Sequence, residues 1–147
     1  MKDRSQFEPR KRARRRVLQA LYQWKITGQD ERDIAHQFLE EQDFRKVDKA
    51  WFREQLSGVV ASYPELDEYL QPFIDRPLSQ LDIIELMILR MSAFELRNHP
   101  EIPKTVVMNE AIDLARRFGA EQGHSFVNGV LDKAARQAEP GDDSGSD

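Results

Sequence analysis

The chain has 147 residues, 39% of them hydrophobic and 33% charged, with a formal net charge of −4 and no cysteine. That length fits one domain with a real core, and lean hydrophobicity with high charge suits a small all-helical protein with wet outer faces. Disulfides and thiolate zinc sites are excluded, no window approaches the roughly 18 consecutive apolar residues of a membrane span, and no signal-type apolar core follows the basic start, a pattern that fits a cytoplasmic protein.

Charge is unevenly placed along the chain. Residues 1–16 carry eight Lys/Arg against Asp3 and Glu8, a net +6, so residues 17–147 carry −10. The densest part, Arg10–Arg16 (RKRARRR), runs straight into an apolar helical pattern. It is either a solvated run or a patch that faces a polyanion. Residues 1–8 are expected to be flexible. The first helix is predicted over Pro9–Thr27, with Ala13, Val17, Ala20, Leu21 and Trp24 as its buried stripe and Gly28 as its stop. A second, Glu31–Glu41, buries Ile34 and Phe38. A third starts at the N-cap Asp48 and carries Trp51, Phe52, Leu56, Val59, Val60 and Tyr63. Pro64 suits the first turn of a short fourth helix with Leu66, Tyr69, Leu70 and Phe73.

After a connector at Ile74–Leu78, Ser79 with Asp82 resembles a capping box for a fifth helix, Gln80–Arg97. That helix is apolar almost all round and is expected to be packed on several sides. Pro103 opens the sixth helix, with Val106, Val107, Ala111, Leu114 and Ala115, and Phe118-Gly119 closes it. A turn at 120–124 leads to the last helix, Ser125–Gln137, whose buried face is Phe126, Val127, Val130 and Leu131. Glu139–Asp147 has no apolar residue, and the acidic segment 138–147 reads as a disordered tail. Seven helices with short loops predict an all-α bundle, with the folded domain spanning 9–137.

No catalytic constellation emerges. His36, His99 and His124 are scattered, none at i, i+4 with a second ligand, and no glycine-rich phosphate loop is present. Neither an enzyme nor a metal or cofactor site is expected. The basic block is more telling because it sits on a helix. At 100° per residue Arg12, Arg15 and Arg16 share one flank while Lys11 and Arg14 lie on another, either side of the Ala13/Val17 stripe. Cations fanned around a helix start oppose its dipole by about 0.3–1 kcal/mol each, which a polyanion partner would explain. Phe118 and Phe126 bracket the turn between the last two helices, and Phe73 is a weaker third ring of the same kind. Such rings are either core caps or stacking platforms for single-stranded RNA. Tyr22, at the edge of the first stripe, is either half-buried or an interface anchor. Glu85, a carboxylate on the most apolar helix, marks an exposed strip or needs a cationic partner.

Four segments resemble the bacterial NusB family of transcription antitermination factors: R-x-R-A-R…V-L-Q-A-L-Y-Q-W at Arg10–Trp24, F-L-E-E-Q-D at 38–43, V-V-M-N-E-A-I-D-L-A-R-R-F-G-A-E at 106–121 and S-F-V-N-G-V-L-D-K at 125–133. The resemblance covers about Arg10–Ala135. It implies an all-helical NusB-like fold of two small helical bundles packed together. It further implies binding of the boxA element of ribosomal-RNA transcripts together with NusE, a small-subunit ribosomal protein. RNA polymerase, NusA and NusG would be partners in the antitermination complex. By the same resemblance RNA contacts map onto Arg10, Lys11, Arg12, Arg14, Phe73, Phe118, Gln122 and Phe126, and the NusE surface includes Tyr22 and Glu85. Some relatives carry Asp at the position of Gln122, and Arg15 and Arg16 add charge where relatives can be acidic or neutral. An rRNA cytosine methyltransferase, whose N-terminal part is also NusB-like, is the alternative. It would need catalytic cysteines and a methyl-donor domain after residue 137, where this chain has an acidic tail.

Overall fold

Six α-helices build the described part of the chain, residues 7–137 of a computed structural model: α1 Phe7–Thr27, α2 Glu31–Glu41, α3 Lys49–Leu70, α4 Ile83–Asn98, α5 Lys104–Phe118 and α6 Gly123–Gln137. Single 3-10 turns at Gln71–Phe73 and Leu78–Gln80 occupy the α3–α4 connection, and no strand occurs among the described residues. The all-α class holds, with six helices in place of the seven expected. The N-terminal segment expected to be flexible already turns helical at Phe7 and Glu8; the rest of it, and the acidic tail 138–147, lie outside the described residues. Two compact units, Met1–Ser62 and Tyr63–Asp147, divide inside α3.

The helix count differs because Pro64 lies inside α3 instead of starting a new helix. Its missing N–H leaves the carbonyl one turn earlier without a donor, at a cost of about 3 kcal/mol. Beyond the proline, Leu66 and Leu70 are fully buried. Burial of each is worth about 1.5–3 kcal/mol, enough to hold the helix continuous.

In the first unit, Ala13, Val17, Leu18, Ala20 and Leu21 of α1 and Ile34 and Phe38 of α2 are buried, while Trp24 is only half-buried. Phe52 stacks on Phe38 at 6.0 Å and meets Phe44 edge-on at 5.0 Å. Asp48 caps α3 as expected, accepting the Trp51 N–H at 3.0 Å, and its own N–H reaches Pro9 O at 3.1 Å, tying the start of α1 to the start of α3.

In the second unit α4 packs against both α5 and α6, and its residues 85–93 are buried without a break. Its cap is Asp82, which accepts the Glu85 N–H at 3.2 Å, so the helix begins at Ile83 and the expected Ser79 box is not used. Ser79 is instead taken up in the preceding 3-10 turn. The buried Arg90 is met by Asp67 through two 2.8 Å hydrogen bonds. Val107, Ala111, Leu114 and Ala115 of α5 and Val127, Val130 and Leu131 of α6 are buried as predicted, whereas Val106 and Phe126 are half-buried.

Candidate nucleic-acid interface

The basic block occupies the first turns of α1, and much of it is engaged with its own unit. Arg10 pairs with Asp48 (Nε–Oδ2 3.5 Å) and lies 4.5 Å over the Trp51 ring. Arg14 lies over the same ring at 5.2 Å and is only 3% exposed. Arg16 donates to Asp43 O at 3.2 Å and lies 5.0 Å over Phe44. Arg12 is half-exposed, with an i, i+4 ion pair to Glu8 at 3.8 Å and a long contact to Lys46 O at 3.5 Å. Lys11 and Arg15 are half-buried.

The fan of outward cations expected here is therefore corrected at Arg14. With Leu18 and Leu21 it sits at i, i+4 and i+7, on the buried stripe rather than beside it. Its flat guanidinium covers an indole face and its stem packs below, so it is not presented to a polyanion. Arg10, partly covered between Asp48 and Trp51, stands between the two cases. In the loop below, the paired guanidinium of Arg45, hydrogen-bonded through its side chain and backbone N–H, holds the Asp43 carboxyl well below the usual carboxylate range. Farther along α1, Tyr22 (42% exposed) and Ile26 (54%) lie one turn apart on one face. Ile26 was not singled out by the sequence, although its i+4 spacing from Tyr22 was the available signal.

The second unit carries the aromatic positions. Phe73 ends the 3-10 turn after α3 and meets Tyr69 edge-on at 5.9 Å. Arg76 lies 4.7 Å over the half-buried ring of Phe126, pairs with Asp75 at 3.2 Å, and accepts Gln71 Nε2 on its carbonyl at 2.9 Å. Phe73, Asp75, Arg76, Ser125, Phe126 and Lys133 are among the residues that line one cleft of about 210 Å³. Two of the rings expected to meet RNA, Phe73 and Phe126, are thus brought together. Phe118, the last residue of α5, is 37% exposed and does not line the cleft, and neither does Gln122. The cations Arg76 and Lys133 were missed by the sequence reading: nothing local links Arg76 to a ring fifty residues later.

Between α5 and α6 the backbone turns tightly. Gly119 N–H returns to Ala115 O at 2.9 Å, Gly123 N–H closes on Ala120 O at 2.9 Å, and Gln122 holds a left-handed φ of 73°. A non-glycine residue in that region costs roughly 1–2 kcal/mol and is favoured where the surroundings over-determine it. Glu85 faces this turn. It is 6% exposed, so the exposed partner-facing strip expected for it is not what the fold provides. Its carboxylate accepts the Ala120 N–H and lies in the field of Arg76, the cationic partner that the alternative reading required. Burial and then the Asp82 charge raise its carboxyl above the ordinary value, against those two influences.

The histidines take ordinary roles: His36 pairs with Glu40 at 3.3 Å, and His99 Nδ1 meets Glu101 at 2.9 Å beside the Phe94 ring. Among the described residues no cluster of three potential ligands could hold a metal ion. No helix among the described residues is long and apolar enough to cross a membrane.

The sequence model of the NusB family matches residues 11–136. A transcription antitermination protein NusB of Nitrosococcus oceani is 54% identical over 128 residues, covering 87% of this chain and 86% of that protein. One from Shewanella pealeana is 48% identical over 124 residues, covering 84% and 92%. Both of these relatives are matched over most of their own length. Among solved structures, NusB of T. maritima superposes with a TM-score of 0.81 at 30% identity, covering 91% of this chain and 95% of that one. A NusB solved with NusE and double-stranded RNA shares the fold at a TM-score of 0.77 and 21% identity, covering 86% and 96%.

Proposed function

The chain belongs to the NusB family of transcription antitermination proteins and is not an enzyme; on that premise we propose that it binds boxA RNA of ribosomal-RNA transcripts jointly with NusE. In this reading it works in the cytoplasm, in the antitermination complex of RNA polymerase with NusA and NusG. A structural neighbour solved with NusE and double-stranded RNA supports NusE and an RNA as partners. The observation that carries the RNA assignment is the cleft in which Phe73 and Phe126 stand with Arg76 and Lys133. Rings supply sequence-tolerant stacking and the cations meet phosphates, the pairing that single-stranded RNA requires. Phe118 and Gln122 on the adjoining turn extend the contact.

On the first unit Arg12, Lys11 and, partly, Arg10 supply charge; Arg14 does not. NusE is assigned to the Tyr22–Ile26 face of α1, an exposed aromatic with an exposed aliphatic residue one turn away. The test is affinity for a boxA RNA against a scrambled RNA, with and without NusE, across a salt series. Tighter binding of boxA when NusE is present is expected. Equal binding of the two RNAs in its presence would overturn the assignment.

A further inference from the structure

We propose that Glu85 is a positioning residue for the α5–α6 turn, setting the placement of Gln122 and Phe126 from beneath; its functional half rests on the RNA reading above. Glu85 is the third residue of α4, and Asp82 accepts its N–H at 3.2 Å, which fixes where its side chain starts. From there the side chain reaches the turn. Its carboxylate accepts the Ala120 N–H. It also lies against the Cα of Gly123: a Cβ there would collide with the carboxylate Oε2 and stand 2.9 Å from Cδ. A side chain at 123 would displace the carboxylate from that close approach, and no left-handed φ is required of the glycine.

Two backbone features define the close geometry of the turn. Gln122 is kept left-handed without being glycine. A Cβ on Gly119 would stand 2.7 Å from Ala115 O, so the chain leaves α5 in close contact with its last turn. Glu85 thus holds the turn at its first peptide N–H and at its last residue, with the strained residue between them. Helix α6 begins at Gly123, and Phe126 follows within the first turn. Arg76 joins the same arrangement, lying over the Phe126 ring and within the field of the Glu85 carboxylate. A carboxylate placed there steadies the ring through the backbone that carries it and through the cation above it.

The test compares Glu85→Ala, Glu85→Gln, Gly123→Ala and the double variant Glu85→Asp with Gly123→Ala. Two measurements are made: amide exchange and chemical shift at Ala120 and Gln122 in the free protein, and affinity for boxA RNA with NusE. Glu85→Ala and Gly123→Ala should speed exchange at Ala120 at least tenfold and weaken RNA about fivefold to tenfold, part of one base stack. Glu85→Gln keeps an acceptor of the same length and should stay within about twofold on both counts. The double variant withdraws the carboxylate by one methylene from the new Cβ and should recover the Gln122 chemical shift that Gly123→Ala loses, while the shorter side chain leaves Ala120 exchanging fast. Should Glu85→Ala fail to fold, Gly123→Ala and its rescue decide the matter. Unchanged Ala120 exchange in Gly123→Ala, or no rescue by Glu85→Asp, overturns the positioning role. A loosened turn with unchanged RNA affinity overturns its functional half. If the unaltered protein shows no boxA preference, the RNA assignment fails, and the exchange data still judge the positioning role separately.

Discussion

Arg14→Ala and Arg12→Ala should separate the two uses of the basic block. Arg14 is 3% exposed, with its guanidinium 5.2 Å from the Trp51 ring centroid. A desolvated contact of that kind is worth about 2 kcal/mol. Truncation also removes buried methylenes of the stem, each worth about 0.8 kcal/mol. Release of a buried cation returns part of this, leaving a net loss of about 2–3 kcal/mol, or about 5–10 °C in Tm for a chain of this size. Arg12, half-exposed and held by one long ion pair, should change stability by less than about 0.5 kcal/mol. On RNA the order reverses: Arg12→Ala should lower the slope of log K against log salt by about 0.7, the value for one phosphate on a single strand, while Arg14→Ala leaves it unchanged. Thermal melts by circular dichroism and fluorescence anisotropy with boxA RNA measure the two quantities. A reduced slope for Arg14→Ala at unaltered Tm would refute the reasoning, because it would make that arginine a phosphate contact.

Tyr22→Ala combined with Ile26→Asp should weaken NusE about tenfold or more by titration calorimetry while the melt stays within about 0.5 kcal/mol; undiminished association would remove this face from the interface. Gln122→Gly should raise stability by about 1 kcal/mol in urea, by relieving the left-handed backbone, and an unchanged midpoint would show that the turn bears no strain there. Because the Glu85 carboxyl is raised, the folded state binds that proton more tightly than the unfolded chain. Its contribution to stability is full below the ordinary carboxyl range and is lost as pH rises through the raised value. Glu85→Gln should therefore gain on the unaltered protein as pH rises above the ordinary carboxyl range, and a difference independent of pH would contradict this.

Much of the fold is legible locally because caps and periodicity are local. Glu31–Glu41 was read with its observed bounds: Asp30 caps it, and Ile34 and Phe38 mark its buried face. The break expected at Pro64 fails for a non-local reason. A missing N–H is visible in the sequence, but the burial of Leu66 and Leu70 that outweighs it is not. Asp82 displaced Ser79 as a cap because both are competent, and only the 3-10 turn at Leu78–Gln80 decides between them. At the candidate site the rings were found by their place beside a turn. Their cations were not, since Arg76 meets Phe126 only through the fold.

The arginines pose the sharper case, because charge masked periodicity. Arg14 falls on the Leu18–Leu21 stripe by the same spacing that identified Ala13 and Val17, yet a cation in a run of cations reads as solvated. Six cations at the start of one helix would repel each other and the helix dipole if all were displayed. The fold removes much of that cost by giving Arg10 a carboxylate and an indole face, Arg14 the same indole, and Arg16 a carbonyl and a phenyl ring. The charge assigned to RNA is then that of Lys11 and Arg12, with Arg10 in part. Three phosphate contacts on a single strand make affinity fall about twentyfold between 50 and 200 mM salt, where six would make it fall a few hundredfold. A grip of that size is too weak and too indiscriminate to choose one RNA from many. Selection must then come from stacking at Phe73 and Phe126 and from the protein partner, which is why the placement of the α5–α6 turn matters more to recognition than the length of the arginine run.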